Sequence, residues 1–461
     1  MDAAVRADAA GQAGLFARIW EQIYLRQPHE VPPDALRHAQ RALVDTLACI
    51  IGGSRQPCTA AASTAAGDTA ADRALVLGTA SHALDYDDVC MLATCHPSAP
   101  VISALLCQLE QCDQPVRMDH LLTAHLVGTE IMLRLGAWLG FGHYELGFHA
   151  TGTLGAIGAT AAAAHLLQLP IGQAGTALAI AASSACGLRV NFGTDTKPLH
   201  VGFAASAALR AVALARAGAT ANAAGAMAEF ARAYTGNEPL LPPRFSGDGR
   251  SWAVLDPGFE IKRYPSCYLT HRMIAGILKL RGEAGGHSHD PERMPRIDVE
   301  FPPGGTIPLQ YPTPQTGLQG KFSAPYCAAS AWIDARVGLS TFTDHAVQRA
   351  HVVQAMQHIH VHERTGAPEA LDSAPVRVSI AGIGSVLVDW APGSLQDPPG
   401  NAEFMEKWQD CERLSGVQAP GDSARQLLQA DPAANARALL DPVLDAVWRC
   451  IRNRADAGLH A

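Results

Sequence analysis

Apolar residues recur every three or four positions through most of the first 272 residues, which is the spacing of amphipathic helices. The pattern predicts helices over 36–51, 101–109, 120–139, 153–167, 172–186 and 201–217. The last three segments are so rich in alanine that their helices could pack backbone to backbone, and apolar residues on all sides indicate burial. We therefore predict a large all-helical domain over residues 1–272.

Beyond residue 272 the pattern changes to the alternation that is typical of strands. It predicts strands over 296–301, 358–363, 376–380 and 385–390, and the last two flank the sequence AGIG as a hairpin would. A helix is predicted over 346–356, and the Gly, Pro and polar residues of 285–295 predict a loop. Residues 273–395 are therefore predicted to form a smaller α+β domain.

Helical spacing resumes towards the C-terminal end, in AEFMEKWQDCERL from Ala402 and again near 435–451. We expect residues 396–461 to return to the helical domain. The chain has 461 residues, which exceeds the length at which a single hydrophobic core stops growing. The predicted fold class is mainly α, with a large all-helical domain plus a smaller α+β lid domain.

Composition narrows the class of protein. Hydrophobic residues make up 48% of the chain and charged residues 17%, as in a globular protein, and a net charge of −8 without a basic block argues against nucleic acid. A membrane span needs about 20 apolar residues in a row, and the sequence predicts none, so we expect no membrane partner. Arg6, Asp8, Arg18 and Glu21 interrupt the start of the chain, so we expect no signal peptide. Eleven cysteines in apolar helical contexts favour reduced thiols and a cytoplasmic location.

The segment SHALDYDDVCMLATCHPSAPVI, residues 81–102, has the densest candidate chemistry. Asp85, Asp87 and Asp88 lie just ahead of His96, between apolar flanks. Burying such groups is costly without partners, and ionisable groups in these places often have the shifted pKa values that acid–base catalysis needs. A capped helix end with solvated aspartates is the equally simple alternative.

Two further segments lie among the predicted buried helices. GHYELGFHATGTLG, residues 142–155, places His143 and His149 in a Gly-rich loop before an apolar helix, where backbone N–H groups favour an anion. Between residues 137 and 209 the only Lys or Arg residues are Arg189 and Lys197. Lys197 could hold a substrate carboxylate, or it could form a structural salt bridge, for example with Asp195.

The last two segments lie near the predicted domain boundary, where ligand sites are common. IKRYPSCYLTHR, residues 261–272, carries Lys262, Cys267 and His271, although a hinge with exposed basic residues is the alternative. GKFSAPYCAA, residues 320–329, carries Lys321 and Tyr326 before a helix. A buried tyrosine usually has a hydrogen-bond partner, so a core role for Tyr326 is as plausible as a catalytic one.

Metal chemistry receives little support from the sequence. Two C-x4-C pairs at 90–95 and 107–112 fit no zinc or iron–sulfur spacing well, and the histidines at 358, 360 and 362 are more typical of a solvent-facing strand. The DYDD sequence at 85–88 matches class II terpene cyclases, but those sites need aromatic walls and only 6% of this chain is aromatic. The sequence has no Walker loop, no GxGxxG between a strand and a helix, and no GxSxG motif.

Taken in order, five segments resemble the MmgE/PrpD family over nearly the whole chain. The family includes 2-methylcitrate dehydratase, cis-aconitate decarboxylase and iminodisuccinate epimerase. The resemblance implies a helical domain, a smaller lid domain, usually a homodimer, and catalysis with no metal and no organic cofactor. The matching segments are HALDYDD…HPSAPVISALL (82–106), GFHATGTLGAIGA (147–159), NFGTDTKPLHVG (191–202), YPSCYLTH (264–271) and KFSAPYCAA (321–329).

The resemblance also implies site residues. The catalytic candidates are Asp85, His96, His149 and Tyr326, and the substrate-binding candidates are Lys197, Lys262 and His271, with no metal ligand. The hypothesis for their roles is that Lys197 and Lys262 hold substrate carboxylates. His96, oriented by Asp85, would transfer the proton, with His149 and Tyr326 as proton partners.

Two positions depart from the family pattern. Val89 stands where members often have Thr or Ser, and Cys267 stands where cis-aconitate decarboxylase has a histidine. The resemblance therefore favours a dehydratase-like lyase acting on a small di- or tricarboxylate by proton abstraction next to a carboxylate. An epimerase of the iminodisuccinate type, a cis-aconitate-type decarboxylase and a catalytically silent carboxylate-binding protein are the alternatives.

Overall fold

A computed structural model of the chain describes residues 17, 19–235, 252–285, 294–366, 369, 371 and 373–458, without the side chains of 455–458. The charged positions Arg6, Asp8 and Arg18 lie outside the described residues, as does most of the predicted loop at 285–295.

The first part of the chain is helical, as its apolar spacing predicts. The helices pack around one core that is dominated by Ala, Leu, Val and Ile side chains. Their bounds are α1 (Pro33–Gly53), α2 (Pro57–Ala65), α3 (Ala70–His82), α4 (Ser98–Leu109), α5 (Met118–Leu139), α6 (Gly142–Glu145), α7 (Ala150–Leu166), α8 (Ile171–Ala182), α9 (Thr196–Arg216) and α10 (Ala223–Thr235).

Helices α3 and α9 cross with their backbones in close contact. A Cβ added to Gly78 of α3 would lie 2.8 Å from the Cα atom of Gly202 on α9, and one added to Gly202 would lie 2.4 Å from the Leu75 carbonyl oxygen. No larger side chain fits at either position without moving a helix. This crossing brings the C-terminal end of α3, at His82, close to the start of α9, at Lys197.

Among the described residues, one helix is long and apolar enough to cross a membrane by length and composition, and that helix is α9. Its most apolar 18-residue window has a mean hydropathy of 1.4, and 67% of the window is buried inside the protein. Because α9 packs against α3, α7 and α8, it has the character of a core helix.

The second part of the chain forms a four-stranded mixed sheet with helices packed against it. The strand order is β2-β1-β3-β4, with β1 parallel to β2 and the other pairs antiparallel. The strands are β1 (Ile297–Phe301), β2 (Ile359–Glu363), β3 (Val376–Ile380) and β4 (Gly384–Val388), and the helices are α11 (His271–Glu283), α12 (Gly317–Gly320), α13 (Ala324–Asp334), α14 (Asp344–Val347) and α15 (Ala350–Met356). The predicted mainly-α fold class with a small α+β part is confirmed.

The C-terminal helices pack against the first ones. They are α16 (Asn401–Ser415), α17 (Ser423–Leu428) and α18 (Ala436–Gly458). Helix α16 lies on α1 and α18 lies on α2, and Phe404 and Trp408 of α16 are buried in the helical core. The chain therefore leaves the helical domain at α11 and comes back to it at α16.

Candidate active site

The segment that follows α3, residues 83–89, is buried and irregular, and hydrogen bonds hold its last two residues. At one end Val89 exchanges backbone hydrogen bonds with Glu260, with N···O distances of 3.0 and 2.8 Å. The Asp88 carboxylate accepts hydrogen bonds from the backbone N–H and the hydroxyl of Ser98 at the start of α4. Asp85 has φ of 50°, a left-handed conformation that a residue with a side chain rarely adopts.

The Asp87 carboxylate lies between two histidines. Nδ1 of His82 is 2.8 Å from Oδ2 of Asp87, and Nδ1 of His96 is 3.1 Å from the same oxygen. An ionised carboxylate only accepts hydrogen bonds, so each histidine donates from Nδ1. That arrangement leaves Nε2 of His96 free for chemistry, at 3.6 Å from Oδ1 of Asp85.

Two lysines complete the cluster. Nζ of Lys197 lies 2.6 Å from Nε2 of His82 and 3.4 Å from Oδ1 of Asp85. Nζ of Lys262 donates to Oδ1 of Asp85 at 2.7 Å. The second oxygen of this carboxylate, Oδ2, is buried and has no hydrogen-bond partner among the described residues.

Burial and neighbouring charges act in opposite directions on the two aspartates. Burial by itself would raise the pKa of Asp85, but the charges of Lys197 and Lys262 hold the pKa of this carboxyl well below its usual range. Burial likewise opposes ionisation of Asp87, while His82 and His96 keep the pKa of that carboxyl low. Both groups are therefore carboxylates at neutral pH.

The pKa values of three basic groups, His82, His149 and Lys197, are shifted towards the neutral forms. Burial lowers the pKa of His82 to about 3, so its neutral ring donates to Asp87 from Nδ1 and accepts from Lys197 at Nε2. Burial, followed by the charge of Lys197, lowers the pKa of His149 well below its usual value. Burial lowers the pKa of Lys197 as well, although Asp85 opposes this.

A cavity with an empty volume of about 440 Å³ opens beside this cluster. We call it the histidine cavity, and the ionisable side chains in its wall include those of Asp85, His96, His149, Lys197 and Cys267. Aromatic rings form much of the remaining wall. Nζ of Lys197 lies 5.2 Å from the centre of the Phe192 ring and 5.4 Å from that of Phe322. A cation in a dry aromatic setting interacts strongly with an anion that enters it.

A larger space, with an empty volume of about 760 Å³, borders the 83–89 segment at Tyr86. We call it the rear cleft, and Tyr86, Arg263, Arg336, Glu403 and Lys407 are among its lining residues. Its charges pair with one another or with near neighbours: Arg263 with Glu403 at 2.7 Å, and Arg336 with Asp410 at 3.3 Å. None of the described histidines lines it. The histidine cavity is therefore the better candidate site, although it is smaller.

The structure brings four of the seven predicted site residues to the histidine cavity, namely Asp85, His96, His149 and Lys197. The role expected of Asp85 differs in one respect, because Asp87 rather than Asp85 makes the shorter contact with His96. Lys262 is fully buried and lies behind the cavity wall, where its ammonium binds Asp85 instead of facing the cavity.

The remaining two predicted residues do not line the histidine cavity. The hydroxyl of Tyr326 donates to the Thr341 carbonyl at 2.5 Å, inside the core of the second domain. Its place in the family motif predicted a site role that this contact does not favour. His271 packs at the domain boundary against the rings of Tyr264 and Tyr268, and burial lowers the pKa of its imidazole well below the usual value.

Both departures from the family pattern, Val89 and Cys267, lie in the wall of the histidine cavity. Burial raises the pKa of the Cys267 thiol to about 11, so this group is neutral at neutral pH. The cavity therefore has an apolar side chain where the family resemblance predicts a hydroxyl, and a neutral thiol where it predicts the histidine of cis-aconitate decarboxylase.

The sequence motifs assigned no site role to four contributors, although Asp87 and Lys321 lie in the candidate segments: His82, Asp87, Lys321 and Lys407. His82 and Asp87 form the centre of the cluster, and the two lysines bind backbone carbonyls of the 83–89 segment. One sequence signal could have found the lysines. The chain has only five lysines, and four of them, all but Lys279, are buried around this segment.

His82, Asp87 and His96 could also be considered as metal ligands, because their ligand atoms lie within 4.8 Å of one another. Each of the two histidines is already within hydrogen-bond distance of the Asp87 carboxylate. Nζ of Lys197, 2.6 Å from the other ring nitrogen of His82, adds a positive charge beside the group. This surrounding is unlike a structural metal site, in which outer groups accept hydrogen bonds from the ligating histidines.

Two family profiles match the chain. Residues 23–238 match the MmgE/PrpD N-terminal domain and residues 264–430 match the MmgE/PrpD C-terminal domain. The chain therefore belongs to the MmgE/PrpD family, as the five sequence segments predict.

Curated relatives include cis-aconitate decarboxylases. The mouse enzyme is 29% identical over 329 residues, which cover 67% of this chain and 64% of the relative. The human enzyme is 29% identical over 297 residues, covering 62% of this chain and 60% of the relative. The cis-aconitate decarboxylase-like protein oryM of Aspergillus oryzae is 24% identical over 465 residues, covering 89% and 94%. The chain thus spans less than two thirds of the length of the mouse and human relatives.

Proposed function

We propose that this protein is a cofactor-independent lyase that acts on a small di- or tricarboxylate by proton transfer at a carbon next to a carboxylate. The observation that carries the proposal is the position of His96. Asp87 fixes its Nδ1 atom at 3.1 Å, its other nitrogen is free at the cavity, and the Lys197 ammonium lies in the same wall. A base beside a cation is the pair that this chemistry requires.

Lys197 is the residue that binds a substrate carboxylate. His82 and Asp85 engage its ammonium on one side, and the aromatic rings of Phe192 and Phe322 border the other. An entering carboxylate would accept a charge-assisted hydrogen bond from Nζ in a site with little water. The same contact stabilises the negative charge that forms when the neighbouring carbon loses its proton.

His96 is the proton-transfer group. With Nδ1 donating to Asp87, the Nε2 atom takes the proton from the carbon next to the carboxylate, and the resulting imidazolium lies between the two carboxylates of Asp85 and Asp87. Asp85 is a poor acid because its pKa lies well below the usual range, so its contribution is electrostatic.

Dehydration also needs a proton donor for the leaving hydroxyl. His149 lines the cavity, and its Nδ1 atom is 3.0 Å from Nδ1 of His200. When His200 donates this hydrogen bond, His149 carries its own proton on Nε2. As the carbon–hydrogen electron pair forms the new carbon–carbon double bond, the hydroxyl leaves as water with the proton that His96 took from carbon. The Nε2–H of His149 donates a hydrogen bond to the leaving hydroxyl, so both rings end neutral.

Decarboxylation is the second candidate, and it is favoured because the mouse and human relatives are cis-aconitate decarboxylases. In that reaction the bond to a carboxylate breaks, CO2 leaves, and the electron pair that stays on carbon takes a proton from protonated His96. The resemblance places a histidine of cis-aconitate decarboxylase where this chain has Cys267, a neutral thiol, and this departure supports dehydration instead.

The deciding experiment is incubation of the chelator-treated protein in D2O with a panel of di- and tricarboxylates that includes cis-aconitate. We expect NMR to show deuterium at a carbon next to a carboxylate, and mass spectrometry to show the loss of water. Loss of CO2 would favour the second candidate, and exchange with inversion and no mass loss would favour the epimerase. Binding without exchange or turnover of any panel member would contradict the proposal and favour a silent carboxylate-binding protein.

The expected homodimer and cytoplasmic location belong to the same proposal. All eleven cysteines are free thiols, which is compatible with a reducing compartment. Light scattering on a size-exclusion column measures the mass in solution, and cell fractionation measures the location.

A further inference from the structure

Three consecutive backbone carbonyls in the 83–89 segment each accept a hydrogen bond from a different buried lysine. Nζ of Lys321 lies 2.5 Å from the Leu84 oxygen, and Nζ of Lys262 lies 2.5 Å from the Asp85 oxygen. Nζ of Lys407 lies 2.6 Å from the Tyr86 oxygen. Buried carbonyls usually pair with backbone N–H groups, so three ammonium donors in succession call for an explanation.

The three lysines come from different parts of the chain. Lys262 lies at the boundary before the second domain, Lys321 follows α12 inside the second domain, and Lys407 is on α16 of the C-terminal segment. Each also binds a second group. Lys262 binds the Asp85 carboxylate, Lys321 donates to the Pro265 carbonyl at 3.0 Å, and Lys407 donates to the Lys262 carbonyl at 3.2 Å.

These contacts converge on a residue with an unfavourable backbone conformation. Asp85, whose φ is 50°, lies between the carbonyls that Lys321 and Lys407 bind. Such a conformation persists only where the surroundings over-determine it. Its carboxylate and that of Asp87, two residues on, are the two that flank His96. The arrangement of carboxylates at the cavity thus depends on donors that do not line that cavity.

Desolvating an ammonium group is costly, so lysines are rarely buried without a purpose. Burial lowers the pKa of Lys321 to about 7, because the charged form of its amino group loses contact with water. The buried Asp45 carboxylate, 2.6 Å from Nζ of Lys407, compensates that lysine. Lys279, the fifth lysine of the chain, is exposed on α11 and makes a suitable control.

We propose that the Leu84, Asp85 and Tyr86 carbonyls, together with Lys262, Lys321 and Lys407, form a latch that holds Asp85 and Asp87 at the cavity only while the second domain and α16 are packed. In this latch Lys321 and Lys407 are positioning residues. They act through the backbone of the 83–89 segment and do not touch the substrate. The catalytic part of this inference rests on the proposed function, whereas the structural part can be tested without a substrate.

The test removes one latch contact without leaving a buried charge. The double variant Lys407→Met with Asp45→Asn removes both members of the ion pair and leaves the Tyr86 carbonyl without its donor. Lys321→Met does the same at the Leu84 carbonyl, and Lys279→Met is the surface control. Hydrogen–deuterium exchange over 83–90 is compared with exchange over α4, and kcat and KM are measured on the best substrate of the panel.

In the wild-type protein and in Lys279→Met we expect amides of 83–90 to be protected about as strongly as those of α4. In each latch variant we expect exchange over 83–90 to be at least about tenfold faster, with α4 unchanged. We expect kcat to fall at least about tenfold while KM changes less than about threefold, because the substrate-binding Lys197 is untouched.

Rapid exchange of 83–90 in the wild-type protein would overturn the latch, and so would latch variants with unchanged exchange and unchanged kcat. A uniform loss of protection across α4 and 83–90 would assign the lysines to general stability instead. If no panel member is turned over by the wild-type protein, the proposed function fails, but the exchange comparison still decides the latch.

Discussion

The histidine cavity and the rear cleft both border the 83–89 segment, and they differ in how their polar groups are paired. The rear cleft is larger, yet its arginines pair with Glu403 and Asp410. In the histidine cavity, among the residues that the structure describes, Oδ2 of Asp85 is buried without a hydrogen-bond partner and Nε2 of His96 lies 3.6 Å from Oδ1 of Asp85. Incomplete satisfaction of buried groups is therefore a better guide to chemistry than volume.

The variant His96→Asn is expected to have the largest effect, and it tests whether the histidine cavity carries the activity. We expect turnover to fall by roughly 10²- to 10⁴-fold, because the ring nitrogen that moves the proton is gone. The measurement is kcat on the panel substrate, with circular dichroism to check the fold.

The matched control is Arg336→Met in the rear cleft, where an exposed side chain is removed. It should leave kcat within about twofold of the wild-type value. A similar loss from both variants would mean that the two spaces do not differ in function.

A smaller effect is expected from Lys197→Met. The substrate loses a charge-assisted hydrogen bond, so KM should rise roughly 10- to 100-fold, while Lys262 still compensates Asp85. Steady-state kinetics and calorimetric titration of an unreactive dicarboxylate measure this directly. Unchanged affinity would place the carboxylate elsewhere, whereas Lys279→Met should bind as the wild-type protein does.

The smallest expected effect concerns Lys321, which binds the Leu84 carbonyl in the segment that borders both spaces. Burial lowers its folded-state pKa to about 7, below the usual value of 10.5. Between these two values the unfolded chain binds more protons than the folded one, so the contribution of Lys321 to the free energy of unfolding rises with pH. Below pH 7 both states are protonated, and the unfavourable contribution is fully present and constant.

The difference in Tm between the wild-type protein and Lys321→Met isolates this contribution, since other groups titrate in both proteins. The difference should be flat from pH 5.5 to 6.5 and should then rise by roughly 1–3 °C per pH unit up to pH 9. A difference that does not vary with pH would show that Lys321 keeps an ordinary pKa.

The sequence predicts the fold and the contents of the cavity better than the roles of the residues. Helical and strand spacing follow from periodicity, so α1, α5 and the β3–β4 hairpin lie close to their predicted positions. His96 and Lys197 reach the cavity as the motifs predict. These features depend on the spacing of apolar residues and on family motifs, and both can be read from consecutive residues of the sequence.

Hydrogen-bond partners could not be predicted in the same way. Lys262 was expected to face the substrate, but its ammonium binds Asp85, which lies 177 residues away in the sequence. Lys407 lies in what reads as an ordinary amphipathic helix, and only the packing of α16 on α1 brings it to Tyr86. Contacts of this kind depend on how the two domains meet, and no spacing in the sequence encodes that geometry.

The crossing of α3 and α9 has a consequence for redesigning this protein. Gly78 is one helical turn before His82, and Gly202 follows Lys197 by little more than a turn, so the two glycines set how far apart those side chains stand. A single added methyl group there would spread the helices and separate a pair that now meets at 2.6 Å. A mutant library confined to the cavity wall would leave both glycines untouched, although they determine the width of the site as firmly as any residue in it.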